Sequence, residues 1–417
     1  MTEPIEVLYI SSAPTPDEFA RMRASERSGV QVVTYGMPEA SFKFHNLIQR
    51  GLVEQGCRVH SLVGRSITRQ FHRGVWWPRR RGAASDRLTV DHLPFPNLPV
   101  LRQVWIALGM ARGTLAWRWR TRRAATRVLV VDGSYVSAMS SVLPCLRGAR
   151  MSRIGIFADL YSYMVDVDDA SDRTVGTLYR VARRSVTASL GMLDGFVVLT
   201  RQMADVLDTG GKPSIVMEGL VDSEAVAPAA GAAGKSPHPT VLYAGALRKE
   251  YGLETLVRGF QAWDESSAEL IVLGQGEYAA ELAEIAARDP RITYRGPVPL
   301  DEVLDAERRA WVLINPRPPD EVFTQYSFPS KNMEYLASGT PVLSTRLPGM
   351  PAEYLDHVLT IDQPDAPGLA TALATAFAEG PEALERRGQR GRAFVVERKN
   401  NVRQAARIVA LAEEARR

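Results

Sequence analysis

Cysteine is almost missing from this 417-residue chain, which holds only Cys57 and Cys145. They lie far apart in unlike contexts, so neither a disulfide framework nor a metal-binding cysteine spacing follows. A reducing cytoplasm is the expected compartment. No run approaches the roughly 18 apolar residues that mark a transmembrane helix. The start, MTEPIEVLYI, has no basic stretch ahead of an apolar run, so no signal peptide is expected. Acidic residues are scarce in one region. Between Arg65 and Arg127, fourteen arginines are opposed only by Asp86 and Asp91, although the net charge of the whole chain is a modest +4.

The same region carries five of the seven tryptophans: Trp76, Trp77, Trp105, Trp117 and Trp119. Arginine interleaved with tryptophan suits the headgroup layer of an anionic membrane. Nucleic acid competes for any such patch, but no nucleic-acid-binding motif accompanies it, and none is expected as partner. A solvated arginine-rich face is the third reading. With 45% hydrophobic and 24% charged residues, the composition is that of a soluble globular protein, and the length suggests two domains.

The pattern along the chain is strand and helix in alternation. EVLYISS (6–12) reads as a buried strand. A long polar connection leads to a helix from Ser41, whose Phe44, Leu47, Ile48, Leu52 and Val53 share a stripe and whose stop is Gly56. Strands follow at 58–63, 127–131, 152–157, 194–200 and 214–217. This order opens a doubly wound α/β sheet, in which ligands bind beyond the carboxyl ends of the strands. His45, near the start of the first helix, and Asp159, just past the 152–157 strand, are therefore candidates for the catalytic side of a cleft. Each has a structural alternative, a core histidine and a helix cap.

AVAPAAGAAGKSPHP (225–239) reads as a linker, being small, rich in Pro and Gly, and without apolar periodicity. The strand–helix pattern then restarts, with strands at 241–244, 269–273, 292–295, 312–315 and 342–345. Their ends carry Gly245, Gly274-x-Gly276 and Gly296, where the lack of a side chain lets backbone approach a ligand. The stretch YSFPSKNMEYLASGTPV (326–342) reads as a short helix, with Ser327 as cap, Pro329 in the first turn and Gly339 as stop. Met333, Leu336 and Ala337 should face the core, while Lys331 and Glu334 share another face. A helix start that presents N–H groups, the Ser330 hydroxyl and the Lys331 charge suits a phosphate. Glu334, one turn on, suits a pair of sugar hydroxyls.

VLYAGALRKEYGLETL, ELIVLGQGE, ITYRGPVP and FPSKNMEYLASGTPVL together resemble glycosyltransferase family 4. The likeness is nearest to bacterial capsule and exopolysaccharide transferases and covers nearly the whole chain. It implies the GT-B fold, two Rossmann-like doubly wound domains facing across a cleft. The expected divisions are an acceptor-binding domain at 1–224, the linker, a nucleotide-sugar domain at 240–395 and a C-terminal helix at 396–417 packing back toward the first domain. It also implies retaining, metal-independent hexosyl transfer from a nucleotide diphosphate sugar, with no cofactor. By resemblance Ser330, Lys331 and the Gly245 loop hold the diphosphate, Glu334 the ribose and the backbone around Val298 the base.

The sequence departs from that pattern in three places. The first carboxylate of Glu-x7-Glu is Tyr326. The Gly-Arg and later Lys-Gly of the first donor loop read Gly245-Ala246 and Tyr251-Gly252. The His of a His-Asp pair reads Ala158 before Asp159. Arg248, Lys249 and Arg317 are candidates for the missing donor-side charge. The leading expectation is transfer to a glycan or lipid-linked acceptor in cell-surface polysaccharide synthesis, in the cytoplasm and peripheral to the inner membrane face. Alternatives are a small soluble acceptor, such as a natural product, and an inactive scaffold subunit.

Overall fold

The apolar runs form parallel strands with both faces covered. The computed structural model describes residues 3–25, 39–67, 72–98, 101–158, 188–207, 209–224 and 234–416. It divides into a first unit of Met1–Met217 with Asn401–Arg417 and a second unit of Glu218–Asn400. Most of the expected linker, 225–233, lies outside the described residues.

The first unit contains β1 (Glu6–Ser11), β2 (Arg58–Val63), β3 (Trp76–Trp77), β4 (Arg80–Ser85), β5 (Leu88–His92), β6 (Phe95–Pro96), β7 (Arg127–Asp132), β8 (Ser152–Phe157), β9 (Gly195–Val198) and β10 (Ser214–Val216). Eight of these make one sheet in the order β10-β9-β8-β7-β1-β2-β5-β4, and β3 pairs with β6 apart from it. Pairing is parallel throughout the large sheet except for β4, which runs antiparallel to β5 as an exposed edge. The chain leaves β1 toward β2 and later returns to β7 on its other side, so the direction of winding reverses between β1 and β7. The basic segment, for which the sequence reading named no elements, supplies the β4–β5 hairpin and a long helix at Leu101–Arg120.

The C-terminal helix Asn401–Glu414 belongs to this first unit. It packs on the helix Glu39–Glu54 and on β8, β9 and β10. Gly51 permits the approach, because a Cβ there would stand 2.2 Å from the Asn401 carbonyl oxygen. Arg407 Nη2 donates to the Val216 carbonyl at 2.8 Å.

The second unit holds β11 (Thr240–Ala244), β12 (Glu269–Leu273), β13 (Ile292–Gly296), β14 (Val312–Asn315), β15 (Val342–Thr345) and β16 (Leu359–Ile361), all parallel, in the order β13-β12-β11-β14-β15-β16. Side-chain alternation splits the central strands between two cores. Val241, Tyr243, Val312 and Ile314 join Phe260, Trp263 and Leu369 on one face. Leu242, Ala244 and Leu313 join Met333, Leu336 and Phe394 on the other. The ends of the unit are tied together. Val221 N–H donates to the Lys399 carbonyl at 3.0 Å, and Lys399 Nζ bonds both carboxylate oxygens of Glu218 at 3.1 Å and Glu353 Oε1 at 2.7 Å.

Candidate functional site

In the second unit the winding reverses between β11 and β14, and the glycine-bearing loops converge at the carboxyl ends of these strands. Gly274 has φ 132°, a conformation that disfavours a side chain, and a Cβ there would lie 1.9 Å from the Gly245 carbonyl oxygen. Gly274 N–H donates to Gly296 O at 2.9 Å, and Gly245 N–H donates to Leu273 O at 3.0 Å. A Cβ on Gly276 would meet Leu247 O at 2.3 Å. Gly245, Gly274, Gly276 and Gly296 thus form one backbone cluster. Val298, just beyond, is half-buried against the second core.

The helix that follows β14 spans Ser330–Ser338. Its start differs from the sequence expectation. Pro329 occupies the N-cap position, and no side chain caps the helix. Ser327 instead terminates a preceding turn at Phe323–Tyr326, and its hydroxyl donates to Phe323 O at 2.9 Å. That local bond competes with capping. Gly339 ends the helix with φ 83°. Met333 and Leu336 are buried, whereas Ala337 is half-buried.

Two polar residues that the sequence reading passed over fix this helix against the loops. Asn332 is fully buried, donating to Ser344 Oγ at 3.1 Å and lying 2.8 Å from Asn315. Tyr335 Oη accepts from Ala244 N–H at 2.8 Å and donates to Ala244 O at 3.1 Å, at the residue before Gly245. Their signal in sequence was only that polar side chains stood among positions of the apolar stripe.

The candidate cations differ in their surroundings. Lys331 Nζ bonds Glu334 Oε2 at 2.8 Å, with each side chain 38% exposed, and Ser330 is exposed beside them. Arg248 is exposed and paired with Glu250 at 2.8 Å, and Lys249 with Glu281 at 2.7 Å. The bond to Glu281 raises the Lys249 pKa. Arg317 is more enclosed. Its guanidinium carbon lies 4.3 Å from the Tyr251 ring centroid and 5.4 Å from that of Phe323. Its Nε is buried without a hydrogen-bond partner among the described residues. Burial lowers its pKa, yet guanidinium remains charged at neutral pH. A Cβ on Gly252 would stand 2.2 Å from the Pro316 carbonyl oxygen, so the Tyr251-Gly252 turn closes on the segment bearing Arg317.

In the first unit His45 has no solvent exposure. Its Nδ1 is 2.7 Å from Tyr9 Oη and its Nε2 3.5 Å from Asp132 Oδ2. Burial lowers its pKa and Asp132 opposes the shift. This trio ties β1, the helix Glu39–Glu54 and β7 together where the first sheet's winding reverses. Asp159 lies outside the described residues. Among the described residues no three His, Cys, Asp or Glu side chains group so as to hold a metal ion.

Residues 238–379 match the family described as Glycosyl transferases group 1. No curated protein matches the chain. Among solved structures, a glycosyltransferase from Rickettsia africae is similar with a TM-score of 0.65 at 10% identity, over 100% of this chain and 99% of that one. A sucrose-phosphate synthase from Thermosynechococcus elongatus gives 0.62 at 15% identity, over 99% of both. The Anabaena protein HepE, solved in complex with UDP, gives 0.59 at 11% identity, over 99% of this chain and 100% of that one. Likeness at these identities shows the fold. The chain has the two-domain GT-B architecture.

Proposed function

We propose that this chain is a retaining, metal-independent glycosyltransferase of family 4 that takes a hexose from a nucleotide diphosphate sugar. The observation that carries the reading is the opening of the Ser330–Ser338 helix, held by Tyr335 against Ala244, which leads into the glycine cluster, and by Asn332 against β14 and β15, where the second sheet's winding reverses. The match of residues 238–379 to group 1 glycosyltransferases supports it.

In this reading the uncapped helix start, Ser330 and Lys331 receive the diphosphate, with Arg317 as a further cation. Glu334 receives the ribose hydroxyls, and the backbone near Val298 meets the base. As the glycosidic bond breaks, negative charge grows on the diphosphate oxygens, and prepositioned N–H dipoles and cations lower that barrier. Loss of one such donor typically costs about 3 kcal/mol. Donor binding requires Lys331 to turn from Glu334 toward phosphate, which frees the carboxylate for the sugar. The acceptor in this proposal is a growing glycan or lipid-linked saccharide of a bacterial cell surface, reached from the cytoplasmic side of the membrane.

Thermal shift with UDP-, GDP- and dTDP-sugars tests the donor reading. A cognate donor at 100-fold over its Kd adds about 2.7 kcal/mol. The reading fails if no nucleotide sugar shifts the wild type, or if Lys331→Ala responds as the wild type does. The anomeric configuration of the product tests retention.

A further inference from the structure

The helix Leu101–Arg120 is apolar on two opposite sides. Ile106, Met110 and Trp117 are buried in the first unit. Gly113 lets the helix close on Leu62, and Gly109 on Leu93. On the other side Leu101, Val104, Trp105, Leu108, Leu115 and Trp119 are 47–66% exposed. At 3.6 residues per turn these six fall within about 100° of arc. Only Arg112 interrupts the stripe. Trp76 of β3 extends it, packing edge-to-face on Trp105 with centroids 5.9 Å apart. A contiguous apolar surface of this kind marks an interaction site.

Its setting is basic. The helix contains no Asp or Glu; the exposed Arg120 ends it, and the exposed Arg122 and Arg123 follow. The Arg122 guanidinium carbon lies 4.5 Å from the Trp119 ring centroid. Beside Trp76 a recess of about 200 Å³ is lined by Glu18, Arg21, Arg73, Arg80, Trp76 and Trp77. Glu18 is buried and holds Arg65, with Arg21 at 3.3 Å and Arg80 at 3.6 Å. One carboxylate thus faces several guanidinium groups, which leaves the recess positive.

We propose that this stripe, with Trp76, seats the first unit on an anionic lipid bilayer, and that the arginine-lined recess takes a headgroup phosphate. Apolar side chains with tryptophan enter the interface while the flanking arginines meet lipid phosphates. Charge chooses the occupant. A second copy of the chain would press two faces together, each with an acid-free helix and an excess of arginine, and be repelled, whereas an anionic bilayer neutralises them. The inference rests on the lipid-linked acceptor reading and deepens it, since the docked enzyme would lie in the plane of such an acceptor.

Flotation of the full chain with two vesicle types tests this: phosphatidylcholine alone, and phosphatidylcholine with about one third phosphatidylglycerol. The wild type should float with the anionic vesicles, weakly with the neutral ones, and less in ~1 M salt, where the screening length is about 3 Å. Leu108→Glu with Trp119→Glu should lower partitioning about tenfold or more, with an unchanged Tm because both side chains already face solvent. Arg21→Ala should reduce the preference for anionic vesicles, and an unchanged preference removes the phosphate seat. A wild type that ignores anionic vesicles, or a double variant that floats as well as wild type, overturns the docking. So does a wild-type dimer, seen by sedimentation velocity, that the double variant dissolves. Donor-induced thermal shift measured on the same samples separates the two proposals. Flotation without a donor response supports docking and sinks the transferase reading, and a donor response without flotation does the reverse.

Discussion

Lys331 Nζ and Glu334 Oε2 stand 2.8 Å apart across one turn of the helix that opens the candidate donor site. Both side chains are 38% exposed, so their mutual attraction is screened and worth about 0–1 kcal/mol. Lys331→Ala should therefore leave Tm nearly unchanged while lowering sugar transfer about 100-fold or more. Glu334→Gln should weaken donor binding with the fold intact. Calorimetric donor affinity and initial rates check both, and a large drop in Tm for either would mean that the pair is structural.

Arg317, whose guanidinium lies over the Tyr251 ring and near that of Phe323, is the better candidate for a second phosphate cation than Arg248, which is solvent-exposed and paired with Glu250. Arg317→Lys keeps the charge but loses the guanidinium contact with the Tyr251 ring. It should weaken donor affinity by about 1–3 kcal/mol, against less than about 1 kcal/mol for Arg248→Ala. Titration of the nucleotide diphosphate product against each variant reads the difference directly.

Gly274→Ala should damage the site and the fold together. Its φ of 132° is strained for alanine, and the added methyl group would run into Gly245 O. The expected destabilisation is about 1–3 kcal/mol or more, with donor response lost. Gly296→Ala tests conformation alone. Gly296 also has positive φ, 70°, but nothing lies within 4 Å of its Cβ position, so the smaller cost of strain is expected there. Chemical denaturation of the two variants checks the order.

The first unit should lose stability in acid through His60. Burial first, then the Arg120 charge, push its pKa down from 6.5 to about 4. The unfolded chain takes up this proton near 6.5 and the folded chain near 4, so between those values the unfolded state binds more protons. Stability falls as pH drops through that window and levels off below it, by ~3 kcal/mol at most. His60→Gln should remove this component, which urea unfolding of both proteins at pH 7, 5.5 and 4 would show.

Outside the basic segment the strands were legible because they are apolar runs bounded by turn residues, whereas β4, RRGAAS, is wholly exposed and gave no such run; Gly339 was legible as a stop because only a left-handed residue ends the helix there. Ser327 misled. Its hydroxyl binds the carbonyl of Phe323, in a helical turn too short to show periodicity. Asn332 and Tyr335 were hidden for another reason, because their partners come from Asn315, Ser344 and Ala244 on other elements. The Leu101–Arg120 helix was concealed by its own composition. Apolar residues on both sides blur a single stripe, and the arginines between them drew the reading toward charge.

The Asn401–Glu414 helix, which covers part of the first sheet, follows the whole of the second unit in the chain. A ribosome therefore delivers Glu218–Asn400 complete before β8, β9, β10 and the helix Glu39–Glu54 receive the segment that closes over them. The unit synthesised first is the last to be finished. Until Asn401 onward emerges, its apolar flank waits uncovered, which makes the nascent first unit, rather than the second, the natural client of a chaperone.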